Sequence, residues 1–149
     1  MRKVFLGLAL VAVGFIASCG KDSTTADAND ITGKNNQQIF QMHPWRGISF
    51  TDSSGKSGVQ ETYTACDKDD IYTFTSATSY NWNPGANKCD PTSTPVDAAW
   101  NMSDPAGKNV NFMNYDWVIE TISGTNMVLR RRWINNQGDE ITWRLSLAK

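Results

Sequence analysis

The chain runs to 149 residues and carries 14 basic against 15 acidic side chains, three cysteines and six tryptophans. A formal charge of −1 gives no electrostatic drive toward nucleic acid, whose affinity for proteins comes from neutralised phosphates. The length suffices for one domain of modest core, and six tryptophans supply core volume, a ligand surface or both.

Met1-Arg2-Lys3 is a short basic start, and Val4 to Ile16 is an apolar run of 13 residues. As a helix that run would span roughly 20 Å, against about 30 Å for a hydrocarbon core, so it reads as an export signal over residues 1–18. Ile16-Ala17-Ser18-Cys19 resembles the lipobox of bacterial lipoproteins. The resemblance implies cleavage before Cys19 and an acyl anchor such as palmitate on it, which makes the membrane a partner. Lys21-Asp22 follows directly and is similar to short charged sorting signals, so the expected location is the cell envelope, on the outer membrane. Arg2 and Lys3 leave with the signal, and the remaining 131 residues carry 12 basic and 15 acidic groups, a net charge of −3.

Gly20 to Gln38 is polar, rich in Ser, Thr, Asp and Asn, and shows no apolar period. It reads as a flexible tether with a reach on the order of 24 Å. The expected layout is a lipidated cysteine and linker over residues 19–40 and a folded domain over residues 41–149.

From Trp45 onward the pattern is short strands and turns. Val59 to Ala65 and Ile71 to Thr75 are rich in β-formers; Trp100 alternates with Met102, and Val110 with Phe112, between polar neighbours. Tyr115 to Ser123 and Asn126 to Ile134 are longer runs, apolar on both faces, and Ile141, Trp143, Leu145 and Leu147 alternate with Thr142, Arg144 and Ser146. A period of two marks a strand with one buried face. Asn83-Pro84-Gly85, Asp104-Pro105-Ala106-Gly107 and Asn135-Asn136-Gln137-Gly138 supply turns, and Ser123-Gly124 divides the two long strands as a hairpin. Some eight strands at short spacing predict an all-β antiparallel meander that protects its edges by closing into an up-and-down barrel.

With Cys19 assigned to lipid, Cys66 and Cys89 remain. In an oxidising compartment two thiols pair, and a Cys66–Cys89 bridge closes a 24-residue loop, roughly 3.4 kcal/mol in the chain-entropy model. Zinc needs more ligands than two cysteines and the single His43 offer.

The residues from Trp45 to Leu147 resemble the lipocalin-like domains of small bacterial lipoproteins. Trp45 opens the first strand; Cys66-Asp67-Lys68-Asp69-Asp70-Ile71-Tyr72-Thr73-Phe74 follows; then come Gly85 and Cys89, Trp100-Asn101-Met102, Tyr115-Asp116-Trp117-Val118-Ile119 and Met127-Val128-Leu129. The resemblance implies an up-and-down barrel with an internal cavity. True lipocalins open with Gly-x-Trp and stack a last-strand arginine over that tryptophan. Here His43 stands two residues before Trp45, and Arg131 or Arg144 is the candidate for the stack.

Chemistry is sparse. Asp67-Lys68-Asp69-Asp70 lacks the EF-hand pattern, because Ile71 and Tyr72 stand where a ligand and a glycine belong, and reads as a solvated turn whose carboxylates bind nearby amides. No metal or other cofactor is expected. His43 sits beside Pro44 and no Gly-x-Ser-x-Gly elbow exists, so no catalytic residues and no enzyme activity are expected. Arg130-Arg131-Arg132 cannot all point one way on a strand. If Leu129 and Trp133 face inward, Arg131 does too, and it then needs a carboxylate, an aromatic face or an anionic ligand, unless it reaches solvent at the rim. The expected ligand contacts are therefore Trp117, Arg131, Trp133 and Trp143, an aromatic wall with one guanidinium for a small apolar or amphipathic molecule carrying an acidic group. The competing expectation is a filled barrel that binds another protein, as an inhibitor or adhesion module.

Overall fold

The computed structural model describes residues 27–53 and 59–149. The expected signal peptide, the lipid site Cys19 and linker residues 20–26 lie outside the described residues. Strands β1 (Trp45–Asp52), β2 (Gln60–Glu61), β3 (Ile71–Phe74), β4 (Ser79–Asn83) and β5 (Val96–Ala99) are followed by β6 (Asn101–Met102), β7 (Asn109–Phe112), β8 (Tyr115–Ile122), β9 (Asn126–Ile134) and β10 (Glu140–Ala148). They form one antiparallel sheet in the order β5-β4-β3-β1-β10-β9-β8-β7-β6, with β2 paired to β1. β10 returns to β1, and the two outer strands β5 and β6 are separated in the chain by Trp100 alone. Counting β5 and β6 as one bent strand and setting β2 aside leaves eight staves of a nearly closed up-and-down barrel, as the strand spacing predicts.

The long hairpin β9–β10 pairs without interruption from Asn126↔Ala148 to Ile134↔Glu140. Met127 and Leu129 on β9, and Ile141, Leu145 and Leu147 on β10, are all buried. Register shifts fall elsewhere, between Gly47 and Ser49 on β1 and between Ile119 and Thr121 on β8. The second shift sets Glu120 outward, where it meets both Arg130 and Arg144. Those two arginines are directly opposed across β9 and β10, and a carboxylate between them offsets their repulsion.

The run from Val59 to Ala65 is mostly not a strand: only Gln60–Glu61 pairs. Glu61 replaces the ladder by accepting from the Phe50 and Tyr63 amides at 2.9 Å and from the Ser49 hydroxyl. The chain then carries the Tyr63 ring onto Gly47, where a β-carbon would come within 2.8 Å of the ring.

The domain also starts upstream of residue 41. A short helix α1 (Asn36–Phe40) is capped by Asn35, which exchanges bonds with Gln38 in a capping box, and it buries Ile39 and Phe40 in the core. The segment before it packs so closely that a side chain at Gly124 would collide with the Asn29 backbone. From Asp27 the expected linker is therefore part of the barrel. Two apolar residues at the end of a polar run are enough to dock it, because they fill the barrel's end.

The interior is filled rather than hollow along much of the barrel. Phe40, Trp45, Tyr72, Trp100, Phe112 and Trp117 are each at most 2% exposed, and ring contacts such as Phe40–Trp100 at 5.2 Å and Tyr72–Phe112 at 5.3 Å run through the core.

Candidate functional site

The two ends of the barrel differ. Across one end lies α1, with the Trp45 indole donating to the Phe40 carbonyl at 2.8 Å and the Trp100 indole to the Ser76 carbonyl at 2.9 Å. Asn36 donates to the Gly107 carbonyl at 2.7 Å, and the Phe40 ring stacks on Trp100 at 5.2 Å. His43 serves this end too, with Nε2 2.8 Å from the Gly124 carbonyl and its ring 4.3 Å from Trp45. This end is shut.

At the other end Tyr63 forms part of a roof. Its ring stacks on Phe50 with 5.7 Å between centroids, and its hydroxyl is hydrogen-bonded to that of Tyr72. Burial pushes the Tyr63 phenol up to about 12 and Tyr72 higher still, so both remain neutral hydrogen-bonding groups.

Beside this roof the barrel wall is unzipped. β5 pairs with β4 and β6 pairs with β7, and the chain changes neighbour at Trp100, whose amide bonds the Thr78 carbonyl. Among the described residues β5 makes no pairing with the β7–β8 turn. That turn is a two-residue loop, with Phe112 facing Tyr115 and Met113 and Asn114 at φ 55° and 62°, the left-handed conformation such hairpins use. A hollow of about 350 Å³ opens in the seam, with Val96 and Ala98 on one side, Met113 and Asn114 on the other, and Asp70, Tyr72, Tyr80 and Trp82 completing it. Small-molecule sites run from roughly 300 to 1,000 Å³, so this one suits a small ligand. Burial is the main cause that holds the Asp70 carboxyl above the usual range; a hydrogen bond from Trp82 opposes it, and the Asp67 and Asp69 charges add to it.

The residues expected to bind ligand sit across the β7–β8 hairpin from this hollow. Arg131 faces the same side as Leu129 and Trp133 and lies directly opposite Trp143, because β9 and β10 carry no bulge. Its guanidinium carbon is 4.5 Å from the Tyr115 ring, 4.7 Å from Trp133 and 5.3 Å from Trp143. Aromatic faces thus supply the partner that a part-buried guanidinium needs, and among the described residues no carboxylate lies within ion-pair distance of it. The Trp143 indole N–H is buried without a hydrogen-bond partner there. Trp117 lies deeper, fully buried, with its indole bonded to the Phe112 carbonyl at 2.9 Å and its ring 6.3 Å from Tyr115.

Arg131, Trp133 and Trp143 therefore come together with Tyr115, with Trp117 beneath them, yet none of the four expected contacts lines the hollow. The arginine–tryptophan stack expected on Trp45 is absent: Trp45 is buried against Phe40 and His43, Arg131 is held by the rim aromatics, and Arg144 points outward to Glu120.

Cys66 and Cys89 form a disulfide with Cα atoms 5.1 Å apart. It ties the acidic segment to the loop after β4, so the sulfurs beside Asp67 are not thiolate ligands for a metal. The acidic turn behaves as its composition suggests. Asp67 accepts from the Thr64 amide and hydroxyl at 2.7 Å, and Asp69 from the Ala86 and Asn87 amides at 2.8 and 2.9 Å. Gly85, at φ +67°, brings its backbone against Asp69 where a β-carbon would not fit.

None of the residues of the hollow is among the expected contacts, although Tyr72 with Phe74 and Tyr80 with Trp82 alternate at the strand period. What the sequence does not mark is the change of neighbour at Trp100 that opens a hollow beside them. No protein-family model matches this chain, and no curated protein is matched by its sequence.

Proposed function

We propose that this protein is a lipid-anchored binding protein of the cell envelope, a lipocalin-like barrel that takes a small apolar or amphipathic ligand in the seam at its open end and performs no catalysis. The observation that carries this reading is the 350 Å³ hollow with mainly aromatic and aliphatic walls beside a barrel that is otherwise packed. Export is supported by the Cys66–Cys89 disulfide, and anchoring by the lipobox resemblance at Cys19. Geometry adds an orientation. Asn29 packs on Gly124 and bonds Lys149 at the shut end, so an anchor eight residues before Asp27, within roughly 30 Å of extended chain, would turn the open end away from the bilayer.

Native mass spectrometry of the protein purified from its own envelope tests the reading. A bound small molecule that is lost in Ala98→Phe, which fills the hollow, supports it. An unliganded protein, or a ligand retained at full occupancy in Ala98→Phe, counts against it.

The rim cluster favours a second reading, a protein-interaction module acting as an inhibitor or adhesion element. Tyr, Trp and Arg dominate the energetics of protein interfaces, and Tyr115, Arg131, Trp133 and Trp143 gather them in one place. Arg131→Met separates the two readings, since it should abolish binding of a protein partner and leave ligand in the seam untouched.

A further inference from the structure

The hollow has a charge as well as a shape. Three aromatic residues, Tyr72, Tyr80 and Trp82, line it together with Met113, and one acidic residue, Asp70, is among them. Among the described residues no lysine, arginine or histidine forms an ion pair with Asp70; the side chain that stabilises its charge is Trp82, a neutral donor. A carboxylate has acceptor capacity left after one such bond. Asp67 and Asp69 stand close enough to raise its pKa, adding negative charge beside it. Lys68 stands between them in sequence but is exposed and does not ion-pair with Asp70. Tyr63, Tyr72 and Tyr80, the other titratable groups here, are held neutral by burial.

Aromatic side chains around a half-buried carboxylate that has no ion-pair partner among the described residues are complementary to one ligand chemistry. A cation with apolar substituents gains from the rings and from the charge, whereas a strongly hydrated metal ion gains little from the rings and an anion is repelled. We infer that the seam between β5 and the β7–β8 turn binds a small organic ammonium group, quaternary or alkyl-substituted, between the Tyr72, Tyr80 and Trp82 side chains and the Asp70 carboxylate. This rests on the reading of the seam as the ligand site and specifies its ligand class. The group could arrive on a free molecule or on a lipid headgroup, and the chemistry at the site is the same.

The test compares choline with its uncharged isostere 3,3-dimethyl-1-butanol, titrated into the intact protein and followed by calorimetry and by the Trp82 indole N–H resonance. Choline should bind about tenfold or more tightly than the isostere, and Asp70→Asn, which keeps shape and the Trp82 hydrogen bond, should remove that preference. Trp82→Leu should weaken choline by a similar factor. Sedimentation with phosphatidylcholine vesicles, set against phosphatidylglycerol vesicles, identifies the source: selective co-sedimentation places the group on a headgroup, and choline binding without it places the group on a free molecule. Equal binding of choline and isostere, unchanged in Asp70→Asn, would overturn the ammonium assignment and leave an apolar ligand site standing. If neither probe nor any apolar compound distinguishes the protein from Ala98→Phe, the seam is not a ligand site and both readings fall.

Discussion

Phe40→Ala removes the plug that α1 sets into the shut end of the barrel. The ring is fully buried and meets Phe74 edge-on at 4.9 Å and Trp100 in a stack at 5.2 Å. Truncating a buried phenylalanine costs about 3–5 kcal/mol, the transfer free energy plus the cavity left behind. The Phe40 carbonyl that holds the Trp45 indole is backbone and survives, so the loss comes from packing alone. With an unfolding entropy of about 2.1 cal/mol/K per residue over the 123 residues from Asp27 to Lys149, 1 kcal/mol shifts Tm by roughly 4 °C. The expected fall is therefore about 12–20 °C, read by near-ultraviolet circular dichroism during a thermal scan and checked by urea unfolding. Gln41→Ala, an exposed neighbour, should move Tm by no more than about 2 °C. If Phe40→Ala changed Tm as little as Gln41→Ala, residues 27–40 would not be part of the folded domain and the shut end would be wrong.

Three further outcomes are expected. Replacing both Cys66 and Cys89 by Ser should cost about 3.4 kcal/mol for the 24-residue loop, and the native thiols should resist alkylation until reduced; free thiols in the folded, oxidised protein would remove the bridge. Cys19→Ala should release the protein from the membrane fraction without lowering its Tm, since the polar composition after Cys19 is that of a tether; retention after a high-salt wash would remove the anchor. Asp70 has a folded pKa raised above its ordinary 3.8, so the stability it contributes is present below that value and lost as pH rises through the folded pKa. Asp70→Asn should therefore raise Tm at pH 7, with the gain vanishing below pH 3.8, and a variant less stable at pH 7 would contradict the burial of the charge.

The barrel was legible because period-two burial survives almost everywhere it was read. The β9 and β10 runs are observed as strands from Asn126 to Ile134 and from Glu140 to Ala148, and their uninterrupted register places Arg131 beside Trp133 and Trp143 as the alternation predicts. Three features were not legible, each for a tertiary reason. Residues 36–40 form a helix because Ile39 and Phe40 dock in the barrel, and a five-residue segment in a polar run has no period of its own. The Val59–Ala65 run breaks up because the Glu61 carboxylate takes the amides that a strand partner would have taken. The seam exists because one strand serves two neighbours on either side of Trp100, and a change of partner leaves no mark on hydrophobic alternation. The candidate site was half legible for the same reason: the rim aromatics follow from register, and the hollow follows from its failure.

On the proposed function, ligand is received in the seam, and not at the rim or in the barrel's interior. Chemical-shift mapping with the neutral apolar probe N-phenyl-1-naphthylamine tests it on the intact protein. Saturable shifts should concentrate on Val96, Ala98, Met113, Tyr72 and Trp82 and be lost in Ala98→Phe. Shifts centred on Tyr115, Arg131, Trp133 and Trp143, shifts spread through Leu129 and Leu145, or no saturable shift at all would contradict it.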